Sequence, residues 1–123
     1  MPDIRIQVGE HECGADWTDT CPETRAAIEA ALPLAGEGHR WGDELYFPTA
    51  VAVGAENART EVPAGAVAYW PQGNAICLFW GPTPASRCGE PRAASPVNVI
   101  ARIDDTTALA GSEDGTRVRM TEF

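Results

Sequence analysis

A chain of 123 residues with 44% hydrophobic residues has the length of one domain, 1–123, and enough apolar surface for a single core. Its longest apolar runs fall well short of the roughly 20 residues that span a bilayer. The net charge is -9, from 18 acidic and 9 basic residues, and every basic residue is an Arg. Such a surface repels phosphate backbones and anionic lipid, so neither nucleic acid nor membrane is an expected partner.

In chain order, MPDIRIQVGE opens the sequence. Ile4, Ile6 and Val8 alternate with Arg5 and Gln7, the period of a half-buried strand. No apolar leader precedes them, and the cytoplasm is the expected compartment. Residues 11–19 are polar and hold a turn and a short second strand. Thr20 and Glu23 have capping-box spacing, and Pro22 suits a first turn. Alanines and the Ile28–Leu32 pair then predict a helix over about 21–32, stopped by Pro33.

Residues 35–40 read as a Gly-rich loop. Strands follow at 44–47 and 51–53, with a polar connection over 54–64. Residues 66–70 and 75–80 form two apolar strands around a Pro71–Asn74 turn. The second is continuously apolar, as in a sheet covered on both faces. Pro82, Pro84, Pro91 and Pro96 punctuate a long loop, and long ordered loops are often functional. Residues 97–103, VNVIARI, predict a strand with Val97, Val99, Ala101 and Ile103 on one face. Leu109 marks a short helical segment or turn, and 116–123 closes the sheet. Short strands, one good helix and frequent turns predict a mainly β antiparallel barrel with a helical cap.

The cysteines are Cys13, Cys21, Cys77 and Cys88. Their spacing matches no zinc site, and a reducing compartment keeps them as thiols; Cys13 and Cys21 could pair only in an oxidising one. Cys77 reads as a small core residue. His11 and His39 stand alone in loops. Neither a metal nor a cofactor is expected. Asp104-Asp105 and Glu113-Asp114 read as solvated carboxylates, and Arg40 and Arg102 as surface cations. No phosphate loop, nucleophile elbow or catalytic triad pattern is present.

Three segments together carry a resemblance: Trp41 to Phe47, Gly65 to Pro84, and Ala94 to Ile100. In this order the chain resembles the small prokaryotic cyclophilin-like proteins. The resemblance implies a closed antiparallel barrel of about eight strands with one main capping helix. True cyclophilins carry an Arg-bearing motif that polarises the prolyl amide. The corresponding segment here, Leu45 to Thr49, has no Arg and no His. The resemblance therefore implies a fold and a pocket, and the catalytic residues are left open.

The expected function is binding of a small ligand or an extended peptide, with weak peptidyl-prolyl isomerisation as the alternative. The candidate pocket residues are Trp41, Tyr46, Tyr69, Trp70 and Phe79, rimmed by Thr83, Ser95 and Asn98. The aromatics serve equally well as core packing, though each Tyr hydroxyl then needs a partner. Asn98, disfavoured inside a strand, either pins a loop or lines the pocket. Prolines beside Thr83 and Ser95 preset a ligand rim.

Overall fold

The computed structural model describes residues 2–123. The elements are β1 (Ile4–Val8), β2 (His11–Trp17), α1 (Pro22–Ala31), β3 (Leu34–Glu37), β4 (His39–Arg40), β5 (Glu44–Pro48), β6 (Arg59–Glu61), β7 (Ala66–Trp70), β8 (Ala75–Phe79), β9 (Arg92–Ile103), α2 (Thr107–Ala110) and β10 (Arg117–Glu122). All ten strands belong to one antiparallel sheet. Its order is β3-β10-β1-β2-β9-β7-β8-β5-β4, with β6 pairing β9 off this path.

The expected closed barrel of about eight strands is corrected here. The hydrogen-bonded path is open, and it ends on β3 at one side and β4 at the other. These two edge strands are consecutive in the chain, separated only by Gly38. One half of the 34–40 segment pairs with β10 and the other with β5. Residues 35–40 of it were expected to be loop. It lacks apolar alternation because its contribution is backbone pairing at two sheet edges.

One face of the sheet carries the main core. Ile4, Ile6 and Val8 alternate into it from β1, Leu45 and Phe47 from β5, Val67 and Tyr69 from β7, Ile76 and Leu78 from β8, and Val118 and Met120 from β10. Every second residue lies on this face, as the pleat requires. Helix α1 adds Ile28 to this core, with Leu32 packed against it. The opposite face of β7, β8 and β9 carries a smaller cluster: Ala66, Ala68, Cys77, Phe79, Val97 and Val99, joined by Val62 and Ala93.

Strand β9 does not keep one face throughout. Its register against β7 shifts between Val67↔Ala101 and Ala68↔Val99, which leaves Ile100 as the extra residue. A bulge of this kind turns the side chains beyond it to the other face. Val97 and Val99 therefore join the smaller cluster while Ala101 and Ile103 join the main core. Pro96 sits where the β6–β9 register is irregular, a position that tolerates a missing N–H.

Two further expectations are corrected. Residues 51–53 form no strand, and part of the 54–64 connection becomes β6. The capping box does not form either. Thr20 Oγ1 donates instead to the Val99 carbonyl at 3.2 Å. The Glu56 carboxylate accepts from the backbone N–H of Glu23 at 3.1 Å and of Thr24 at 2.8 Å, and from the Thr24 hydroxyl at 2.6 Å. An anion from a distant loop thus satisfies the free N–H groups of the helix start. These bonds hold the Glu56 carboxyl below its ordinary pKa. Among the described residues, no helix is long and apolar enough to cross a membrane.

Candidate functional site

The smaller cluster is built largely from small side chains. Of these, Cys77 and Ala93, with Ala94 and Ser95 beside them, leave volume above the sheet that bulkier residues would have filled. A half-enclosed recess of about 220 Å³ lies there. Cys77, Ala93 and Val97 form much of its floor, Ala94 and Ser95 one side, and Trp41, Tyr46 and Trp70 its aromatic walls. Glu44 completes it.

Strand alternation explains the membership. Glu44 and Tyr46 are two residues apart on β5 and share a face, whereas Leu45 and Phe47 point into the main core. Tyr46 lies opposite Cys77 in the β5–β8 register, and Cys77 lies opposite Ala68 in the β7–β8 register. The rings of Tyr46 and Trp70 meet edge to face, with centroids 6.2 Å apart and planes at 80°. The Trp70 indole N–H donates to Ser95 Oγ at 2.5 Å, which fixes the ring's orientation. The ring also lies over Gly73, where a Cβ would come within 2.2 Å of it. Gly73 thus provides the space that Trp70 occupies.

Trp41 is positioned by a tight turn. Its N–H donates to the Glu44 carbonyl at 2.9 Å. Gly42 has φ +65°, and a Cβ there would sit 2.8 Å from Thr83 Cα. Any other residue at position 42 would be strained and would push away the Gly-Pro-Thr-Pro loop. Asp43 N–H donates to the Pro82 carbonyl at 2.9 Å, so two of the segments that carried the resemblance are in direct contact.

The structure therefore brings together Trp41, Tyr46, Trp70 and Ser95 among the candidates. It places the other four elsewhere. Tyr69 is fully buried in the main core. Its hydroxyl donates to the Val51 carbonyl at 2.7 Å and accepts from Asn74 Nδ2 at 2.9 Å. Adjacent strand residues point to opposite faces, so Tyr69 and Trp70 never share a pocket. Phe79 is fully buried within the smaller cluster and does not line the recess. Thr83 holds its own loop together, donating to the Arg92 carbonyl at 2.5 Å. Asn98 pins a loop and the helix: its Nδ2 donates to the Gly54 carbonyl and to Thr24 Oγ1, both at 3.0 Å, and its Oδ1 accepts from Glu56 N–H at 2.9 Å.

Glu44 was missed by the sequence reading, although its two-residue spacing from Tyr46 was a usable signal. It is 5% exposed. Burial pushes its carboxyl up to about 7, an effect that the adjacent Cys77 thiol opposes by donating to it. Burial likewise pushes Cys77 well above the ordinary thiol range, and the neighbouring Glu44 adds to the shift. Cys77 is thus held as the protonated thiol and is no nucleophile at neutral pH. No Arg lines the recess. Arg40 is engaged elsewhere, donating to the Gly42 and Ser112 carbonyls and to Asp43, with its guanidinium 4.9 Å above the Trp80 ring. Arg102 is exposed. Among the described residues, no three metal-ligating side chains come together.

Comparison with known proteins follows the same geometry. A family model described as cyclophilin-like matches residues 2–121. The chain belongs to the cyclophilin-like family. Its structure is similar to the solution structure of a hypothetical protein from Archaeoglobus fulgidus, at 44% identity and a TM-score of 0.83. The likeness covers 99% of this chain and 95% of that one. No curated protein matches this cyclophilin-like chain.

Proposed function

We propose that this cyclophilin-like protein is a binding module that takes a small organic ligand in the recess between β5, β7, β8 and β9. One observation carries the reading: three large aromatics are left only partly buried around a floor of small residues. In a domain selected for packing alone, such a void costs stability and would be filled. At about 220 Å³, the recess is smaller than the roughly 300 Å³ typical of drug-sized sites, which favours a fragment-sized ligand or a single side chain.

An extended peptide has one specific observation in its favour. Tyr46 and Trp70 also border a second open hollow, lined by His39, Pro48, Gly73 and Ala75. A peptide residue on each side of the Tyr46–Trp70 wall would occupy both. Isomerisation needs a donor to the prolyl amide, and the residues lining the recess supply no Arg for that role.

The test is a small-fragment screen followed by the indole N–H signals of Trp41 and Trp70. Wild type should show shifts at both indoles. Ala93→Leu, which fills the floor, should abolish them while the fold is retained. Equal shifts in the filled variant, or none in wild type, would refute the proposal.

A further inference from the structure

Among the described residues, Glu44 is the one carboxylate lining the recess, and no cationic side chain lines it. Among the described residues, the four ion pairs use the carboxylates of Glu12, Asp43, Glu61 and Glu90, none of them Glu44. Its neighbour is an uncharged thiol. A carboxylate nearly removed from water without a counter-charge is a costly arrangement. Buried charges in folded proteins are ordinarily paired, and here the open side of the recess is where a partner would sit.

The walls point to the same kind of partner. Tyr46 and Trp70 stand at 80° to each other, so their faces and edges bound one corner from two directions. Trp41 adds a third aromatic surface. Aromatic faces carry negative quadrupole density and attract organic cations, most strongly where water is excluded. The Ser95 bond holds the Trp70 ring in place before any ligand arrives, which lowers the cost of binding. The net charge of -9 raises the local concentration of cations around the whole molecule.

Building on the reading of the recess as a ligand site, we propose that its ligand is a small organic cation of the alkylammonium class. The ligand charge supplies the missing partner of Glu44, and its carbon substituents lie against Trp41, Tyr46 and Trp70. An uncharged ligand of equal shape makes the same apolar contacts and leaves the carboxylate unpaired. An anionic ligand meets repulsion from Glu44.

The experiment is calorimetric titration of the full chain with choline and, separately, with dimethylbutanol, its uncharged carbon isostere. It is run at about pH 8, where Glu44 is ionised. The indole signals of Trp41 and Trp70 report the place of binding. Choline is expected to bind at least about tenfold more tightly than the isostere. Glu44→Gln should remove that preference. Equal binding of the two ligands by wild type overturns the cation assignment and leaves the binding-module reading standing. Binding of neither overturns the cation assignment, and the fragment screen then decides the binding-module reading. The wild-type comparison decides the matter even if the Glu44 variant does not fold.

Discussion

Asn98 on β9 and Glu44 on β5 are both buried polar residues of one sheet, and their surroundings differ completely. Asn98 has no exposed surface, and its amide makes three hydrogen bonds, joining β9, the 54–56 loop and the start of α1. Glu44 is 5% exposed, and the Cys77 thiol donates to its carboxyl. A satisfied buried amide ties elements together, which is a structural task. A buried carboxyl beside a cavity with no counter-charge serves the fold poorly, which makes it a candidate for function.

The comparison breaks most visibly at Asn98. Asn98→Ala strands the Glu56 N–H and the Gly54 carbonyl and loosens α1. A loss of about 3–4 kcal/mol is expected in urea unfolding. A loss below 1 kcal/mol would remove the structural role given to this amide.

Glu44→Gln should act in the opposite direction. The folded carboxyl, raised to about 7 from an ordinary 4.5, holds its proton where the unfolded chain has released it. Folding therefore takes up a proton in that window, and stability falls as pH rises from about 4.5 through 7. At pH above the window, Glu44→Gln should gain up to about 3 kcal/mol. Below it, the variant and wild type should coincide. A variant less stable at alkaline pH would show that the charged carboxyl has a partner.

Tyr69→Phe is a smaller change. It removes the hydroxyl that holds the Val51 carbonyl and Asn74. A cost of about 1–2 kcal/mol is expected, with the Trp41 and Trp70 indole signals unmoved. Movement of those signals would connect Tyr69 to the recess after all.

The least penetrating change is Glu56→Gln, at the start of α1. Amide exchange at Glu23 and Thr24 should speed up at neutral pH. Because the folded Glu56 carboxyl sits below its ordinary pKa, its contribution is present above the ordinary value. It fades as pH falls through the lowered one. An exchange difference that persists in strong acid would contradict this.

How much of this was legible in the sequence depends on the range of the signal. Alternation identified β1, and two apolar runs about a turn set the β7–β8 hairpin. The helix was legible from its alanines, its Ile28–Leu32 pair and Pro33. Its cap was not, because Glu56 lies 32 residues from Thr24 in sequence. Residues 35–40 were read as loop because the two half-strands there pair through backbone at opposite sheet edges. The single face expected for β9 failed at a bulge, which period-2 reading cannot see. Within the site, Trp41, Tyr46, Trp70 and Ser95 came from the right segments. Tyr69 was grouped with them against the rule that neighbours on a strand diverge. Glu44 went unremarked because a lone Glu at a strand start reads as solvent-facing. Only the packing of Ala93, Cys77 and the three aromatics around it makes it buried.

Carboxyl-carbon NMR of Glu44 across a pH titration reads the protonation of this buried group in the free and ligand-bound protein. A midpoint near 7 is expected, displaced downward when choline saturates the recess. A midpoint at the ordinary glutamate value in the free protein would mean that Glu44 is solvated or already paired. The contrast with Asn98 would then disappear.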